Sequence, residues 1–178
     1  MKATGIVRRI DDLGRVVIPK ELRRTMHIQD GSSLEIFTDK DGELIFKKYS
    51  PVGELGDFAG QLCESLRQAA DGTFAVCDRD AIIAASGAGK KELLDKHVSA
   101  ELAKLMDERE SFHPKDGALL EVCQTQGQYL ACAVSPIISD GSVLGCVMAL
   151  TAKGVPAPEY AFTLTRAAAN FLGHQTMN

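Results

Sequence analysis

The rhythm of polar and apolar positions changes near residue 50. Before it, short β-rich runs alternate with turn residues. ATGIVRRI from Ala3 to Ile10 predicts a strand closed by the turn Asp11-Asp12-Leu13-Gly14, and VVIP from Val16 to Pro19 predicts a second, shorter one. Pro19 suits the first turn of a helix, and KELRRTMHI places Leu22 and Met26 on one helical face with Arg23 and Arg24 turned outward. After Asp30-Gly31, SLEIF and LIFKKY flank Asp41-Gly42, a strong hairpin signal. The predicted order is strand, strand, short helix, strand, strand.

After Ser50-Pro51, Val52, Leu55, Phe58, Ala59, Leu62, Cys63 and Leu66 recur at helical spacing, predicting an amphipathic helix over 51–70 that ends at Asp71-Gly72. Such a helix serves as a connector, a surface helix of the second domain, or part of a bundle between subunits. FAVCD and AIIAASG predict a hairpin about Arg79-Asp80. Helices are expected over Lys90–Lys96 and Ala100–Glu108, with Ser99 as a cap. LLEVCQ, QYLACAVSPII and SVLGCVMALT predict three more strands, turning at Gln126-Gly127 and Asp140-Gly141. The last is almost continuously apolar and is expected to be central. A final helix from near Pro158 carries Phe162, Leu164, Ala168, Phe171 and Leu172. The second half thus predicts an α+β domain with a central antiparallel sheet covered on one face.

Size sharpens this division. The chain has 178 residues, 45% hydrophobic and 25% charged, enough for a small domain beside a medium one. The expected segments are 1–50, a helical 51–70, and 71–178. The first 50 residues have only Phe37, Phe46 and Tyr49 as aromatics and no cysteine. A module that small is marginal alone. Either two chains complete one β core as an obligate dimer, or the module packs against the rest of its own chain. No apolar run approaches the roughly 18 residues of a membrane span, and no signal-peptide core is evident, so a cytoplasmic location is expected. Cys63, Cys77, Cys123, Cys132 and Cys146 form no CxxC pair and are expected to be small buried hydrophobes.

The net charge of −4 argues mildly against an anionic partner until it is divided along the chain. Residues 1–24 hold Lys2, Arg8, Arg9, Arg15, Lys20, Arg23 and Arg24 against three acids, a local charge of +4, whereas residues 51–178 carry −6. Arginines pair with phosphates and, bidentately, with guanine edges, so two copies of this surface fit duplex DNA; an ordinary solvated face is the alternative. Catalytic signals are weak. SGAGK at 86–90 lacks the first glycine and the final Ser/Thr of a phosphate loop, and reads as a strand-to-helix loop. His27, His97, His113 and His174 are too scattered for a zinc motif; nothing local poises Ser86, Cys123 or Cys132 as a nucleophile; Asp78 and Asp80 read as turn residues about Arg79. No enzyme activity, metal or cofactor is expected.

TGIVRRIDDLGRVVIPKELRR followed by GSSLEIFTDKDGELIFKKYSPVGEL resembles the swapped-hairpin DNA-binding domain of AbrB-type transition-state regulators. With the acidic α+β domain after it, which resembles a GAF domain, the whole chain is similar to the stage V sporulation protein T (SpoVT) family. The resemblance implies an interleaved N-terminal dimer that touches promoter DNA through Arg8, Arg15, Arg23 and Arg24, with Lys2, Arg9 and Lys20 as secondary phosphate contacts. Asp11, Asp12 and Gly14 would shape the turn, and Ile18 and Pro19 the dimer geometry. It further implies a cytoplasmic, nucleoid-associated activator and repressor of sporulation genes in the developing spore. Tetramers would assemble through the GAF-like half, a sensory fold that often carries a small-molecule pocket between its sheet and loops; the residues identify no ligand for it. The rival is a ligand-sensing or assembly protein whose basic face binds a protein partner.

Overall fold

In a computed structural model the chain is described at residues 4–26, 28, 30, 33–50, 52, 56–114, 116–123, 128–153, 155 and 157–176. Lys2, Ala3, His27, Gly31, Pro51, Leu55 and the Gln126-Gly127 turn lie outside the described residues. Two units succeed one another along the chain, Met1–Tyr49 and Ser50–Asn178.

The first unit holds helix α1 (Lys20–Thr25) and strands β1 (Leu34–Thr38) and β2 (Leu44–Lys48). The Asp41-Gly42 signal forms its hairpin, pairing Leu34 with Lys48 and Phe37 with Ile45. The Asp39 carboxylate accepts the amides of Asp41 and Glu43 at 3.0 and 2.9 Å, which fixes the turn.

The two strands expected over Ala3–Ile10 and Val16–Pro19 do not form within the single chain; residues 4–10 and 15–19 belong to no ladder. A strand needs a neighbour, and β1 and β2 already bond one another. Apolar side chains of these segments consequently stand in water: Val7 is 85% exposed, Leu13 70% and Val17 71%. Pro19 and Ile28 are the buried residues among those described in this unit. So little burial cannot offset the entropy of ordering some fifty residues, at roughly 1–2 kcal/mol each.

In the second unit, β3 (Thr73–Asp78), β4 (Ile82–Ser86), β5 (Leu120–Glu121), β6 (Leu130–Ser139) and β7 (Ser142–Thr151) form an antiparallel sheet in the order β4-β3-β7-β6-β5. The helices are α2 (Gly56–Ala70), α3 (Lys90–Leu93), α4 (Ala100–Glu108) and α5 (Ala161–Gln175). The apolar β7 is central, as its composition predicts. The sheet is covered on both faces, where one was expected. Phe74, Val76, Val147 and Ala149 pack with α2 and α5, while Ala75, Cys77, Cys146 and Met148 pack with Leu93 of α3 and Leu102 and Met106 of α4. Alternate residues of a strand point to opposite faces, so a continuously apolar strand has two faces to bury.

Helix α3 is shorter than the span 90–96 predicts. Leu94 turns extended and Asp95 takes a positive φ of 62°, because the Asp95 and Ile82 amides bond Ile82 and Lys96 carbonyls and draw the chain onto β4. Ser99 caps α4, its hydroxyl accepting the Leu102 amide at 3.0 Å. All five cysteines are free and buried, and burial pushes the Cys63 thiol up to about 12, which keeps it protonated and inert.

Gly145 lies where β7 meets β3, and a Cβ there would stand 1.9 Å from the Cys77 carbonyl oxygen. Backbone cannot yield as a flexible side chain would. Gly145→Ala is expected to cost about 2–3 kcal/mol by overpacking and lower the melting temperature of the second unit by roughly 5–10 °C. Calorimetry checks this, and an unchanged melting temperature would contradict the packing at the sheet centre.

Candidate nucleic-acid interface

The basic side chains of the first unit are set by one turn and one short helix. In the Asp11–Gly14 turn, the Gly14 amide bonds the Asp11 carbonyl at 3.0 Å, and Gly14 takes the positive φ of 75° that a side chain would resist. One oxygen of the Asp11 carboxylate accepts the amides of Leu13 and Arg15, at 3.0 and 2.8 Å; the other accepts Arg15 Nε at 2.8 Å. Arg15 is thereby aimed while its side chain remains 69% exposed. Among the described residues its two terminal nitrogens make no hydrogen bond, which leaves both for an outside acceptor.

Hydrogen bonds from the Arg15 amide and guanidinium hold the Asp11 carboxyl below its usual range. A depressed carboxyl stabilises the turn above the ordinary pKa of about 3.9 and loses that contribution as pH falls through its lower folded value. The amide resonances of Leu13 and Arg15 are therefore expected to titrate together with a midpoint below about 3.9. A midpoint at or above the ordinary value would contradict this turn geometry.

Helix α1 has only six residues, and the Arg23 and Met26 amides bond the Pro19 and Leu22 carbonyls at 3.0 and 2.9 Å. Adjacent positions put Arg23 and Arg24 on different sides. Arg24 is exposed, whereas half-buried Arg23 donates from Nη1 to the Asp30 carboxylate, and its buried Nε has no hydrogen-bond partner among the described residues. Arg8 is exposed in the segment before the turn, where its Nη1 makes a long 3.4 Å bond to the Val7 carbonyl. Arg9 and Lys20 are exposed as well. The DDLGR spacing carries the signal for the Asp11–Arg15 pair; Asp30, seven residues from Arg23, has no local signal and emerges only from the fold.

The weaker chemical candidates resolve into structural roles. Ser86, buried, donates to the Glu64 carboxylate; Cys123 and Cys132 are buried; His113 stacks on Phe162 with ring centroids 4.6 Å apart. Asp78 accepts the Asp80 and Ala81 amides at 2.7 and 2.8 Å, as a turn residue does. Among the described residues, no group of three or more His, Cys, Asp or Glu side chains could hold a metal ion.

Comparison with known proteins divides the chain as the fold does. Residues 54–177 match the family described as "Stage V sporulation protein T C-terminal, transcription factor", and residues 7–54 the family described as "Antidote-toxin recognition MazE, bacterial antitoxin". Stage V sporulation protein T of Bacillus subtilis (strain 168) is 45% identical over 176 residues, 98% of either chain. Transition state regulatory protein AbrB of the same organism is 54% identical over 63 residues, 32% of this chain and 65% of that protein. The GAF-B domain of DevS from Mycobacterium smegmatis covers 71% of this chain and 93% of its own, at 16% identity and a TM-score of 0.50, a likeness of fold.

Proposed function

The chain belongs to the stage V sporulation protein T family, and from that premise we propose that it is a DNA-binding transcriptional regulator of sporulation genes, both activator and repressor. It is not an enzyme. It works in the cytoplasm, at the nucleoid. The observation that carries the reading is the basic turn and helix of the first unit, where Arg15 is held outward by Asp11 and Arg8 and Arg24 are exposed.

Arg8, Arg15, Arg23 and Arg24 meet the duplex, with Arg9 and Lys20 adding phosphate contacts. Phosphate contacts position the protein, arginine forks reach guanine edges, and groove shape adds discrimination where no base is touched. A second copy supplies the missing strand neighbours: interleaved chains pair residues 4–10 and 15–19 and cover Val7, Leu13 and Val17. The resulting two-fold dimer presents each arginine twice.

The partition that serves this function is 1–50 for reading DNA, 51–70 as connecting and assembly helix, and 71–178 as the GAF-like regulatory domain. Phe58 of α2 and Phe171 of α5 meet with ring centroids 5.6 Å apart, and Phe171 remains 44% exposed, which supports these helices as an assembly surface. A tetramer would carry two DNA-binding dimers, so that the second binds at high effective concentration. A small molecule sensed by the second unit would bias their spacing.

Electrophoretic mobility with labelled promoter DNA tests this directly. A shifted complex is expected that survives excess nonspecific competitor and weakens as salt rises. A protein that leaves promoter DNA unshifted at low salt would instead use its basic face on a protein partner.

A further inference from the structure

A second constellation lies within the second unit, in a cleft of 630 Å³ where the C-terminal end of α2 meets the edges of β3, β4 and β7. Arg67 and Asp71 come from the end of α2, Ser86 from the end of β4 and Lys90 from the start of α3. Leu150, Val155 and Pro158 add an apolar wall. The volume is in the range of small-molecule sites.

Its polar groups divide into spent and unspent. Glu64 accepts Arg67 Nη2 at 2.6 Å, Arg67 Nε at 3.1 and 3.2 Å, Gln68 Nε2 at 3.2 Å and the buried Ser86 hydroxyl. Those bonds saturate its carboxylate and hold it down to about 2, so it stays charged and committed to the wall. Arg67 is fixed by the same bonds, and among the described residues its Nη1 donors are left over. Among the described residues the Lys90 ammonium makes no hydrogen bond or ion pair and the Asp71 carboxylate accepts no hydrogen bond, lying near the Arg67 charge. The cleft therefore offers donors on a guanidinium edge and an ammonium, acceptors on one carboxylate, and an apolar surface beside them.

We propose that this cleft binds a free α-amino acid with an apolar side chain. The carboxylate lies against Lys90 and Arg67, the α-ammonium against Asp71, and the side chain on Leu150, Val155 and Pro158. Opposite unspent charges select a zwitterion: a simple anion would leave Asp71 facing it, and a simple cation would meet Lys90. The inference rests on the reading of the second unit as a sensor and gives that sensor a site and a ligand class.

Isothermal titration calorimetry of the full chain with L-leucine, L-valine and L-phenylalanine tests it. At least one is expected to bind with a Kd below about 1 mM, and its deaminated acid and decarboxylated amine at least about tenfold more weakly. Asp71→Asn and Lys90→Met should each weaken the amino acid at least about tenfold while leaving the unliganded melting temperature unchanged. Both positions are exposed, and asparagine tolerates the positive φ of 45° at residue 71. No heat from any of the three at about 10 mM, equal binding of acid, amine and amino acid, or wild-type affinity in both variants would overturn the site. Promoter binding measured without the amino acid keeps the DNA-binding reading separate from that result, and binding that leaves DNA affinity unchanged would end the sensory reading while supporting the site.

Discussion

Replacing Arg15, Arg23 and Arg24 together with alanine is expected to weaken promoter binding at least about 100-fold. Each arginine occurs twice in a dimer, so the variant removes six cationic groups from one DNA surface, and every lost phosphate contact should also flatten the salt dependence by about one unit of slope. The loss is one of contacts rather than of fold, because Arg15 and Arg24 are exposed. Arg15→Ala takes a guanidinium from Asp11, whose carboxylate keeps the Leu13 and Arg15 amides, whereas Arg23→Ala leaves Asp30 without its guanidinium. The double variant Arg15→Ala, Arg24→Ala spares that pair and should still lose at least about tenfold, with an unchanged dimer mass. Wild-type affinity in the triple variant would mean that these arginines do not form the DNA surface.

Charging the apolar face of the first unit should be still more damaging. Val7→Asp and Val17→Asp place carboxylates at positions 85% and 71% exposed in the single chain. If those positions were ordinary surface, the substitutions would alter little, within about 0.5 kcal/mol. In a dimer they bury an unpaired charge at a cost of several kcal/mol per chain, and each substitution enters twice. Sedimentation velocity is expected to show loss of the association made by the first unit, and mobility shifts to show loss of DNA binding. The thermal transition of the second unit should remain. Strand alternation puts Val7 and Arg8 on opposite faces once residues 4–10 pair, so an effect at Val7 acts through assembly rather than through the arginine beside it.

The first unit is where sequence reading reached furthest and where a single chain displays least of it. Asp41-Gly42 between β-rich runs placed the β1–β2 hairpin because the turn chemistry is local, and Ser99 capped α4 for the same reason. ATGIVRRI and VVIP have the composition of strands, but a ladder is a relation between two segments, and no segment of the same chain pairs with them among the described residues. The covering of both sheet faces could be read from Thr73–Asp78, whose four central residues are all buried, though the alternation of hairpins and helices pointed to a single covered face. The extent of α3 depended on the bonds from Asp95 and Ile82 across to β4, which no local signal at 90–96 discloses.

The candidate sites divide in the same way. Lys2, Arg8, Arg9, Arg15, Lys20, Arg23 and Arg24 cluster in sequence, so charge counted along the chain singles out the basic stretch on which the proposed DNA contacts lie. The Arg67, Asp71 and Lys90 cleft assembles from segments near residues 67–73, 86–90 and 150–158. SGAGK drew attention to part of it for the wrong reason, as a failed phosphate loop; the position of Lys90 at the cleft comes from the end of β4 lying beside α2. A net charge of −4 conceals both features, the basic stretch of residues 1–24 and a locally balanced cleft.

The most direct test of the central claim is the salt dependence of promoter affinity for the full chain, plotted as the logarithm of the association constant against the logarithm of salt concentration. A steep negative slope of about 4 or more is predicted, reflecting release of counterions by arginines contributed from both chains, and the Arg15, Arg23, Arg24 variant should lose most of it. A slope near zero, or the same slope in wild type and variant, would contradict DNA binding through this surface.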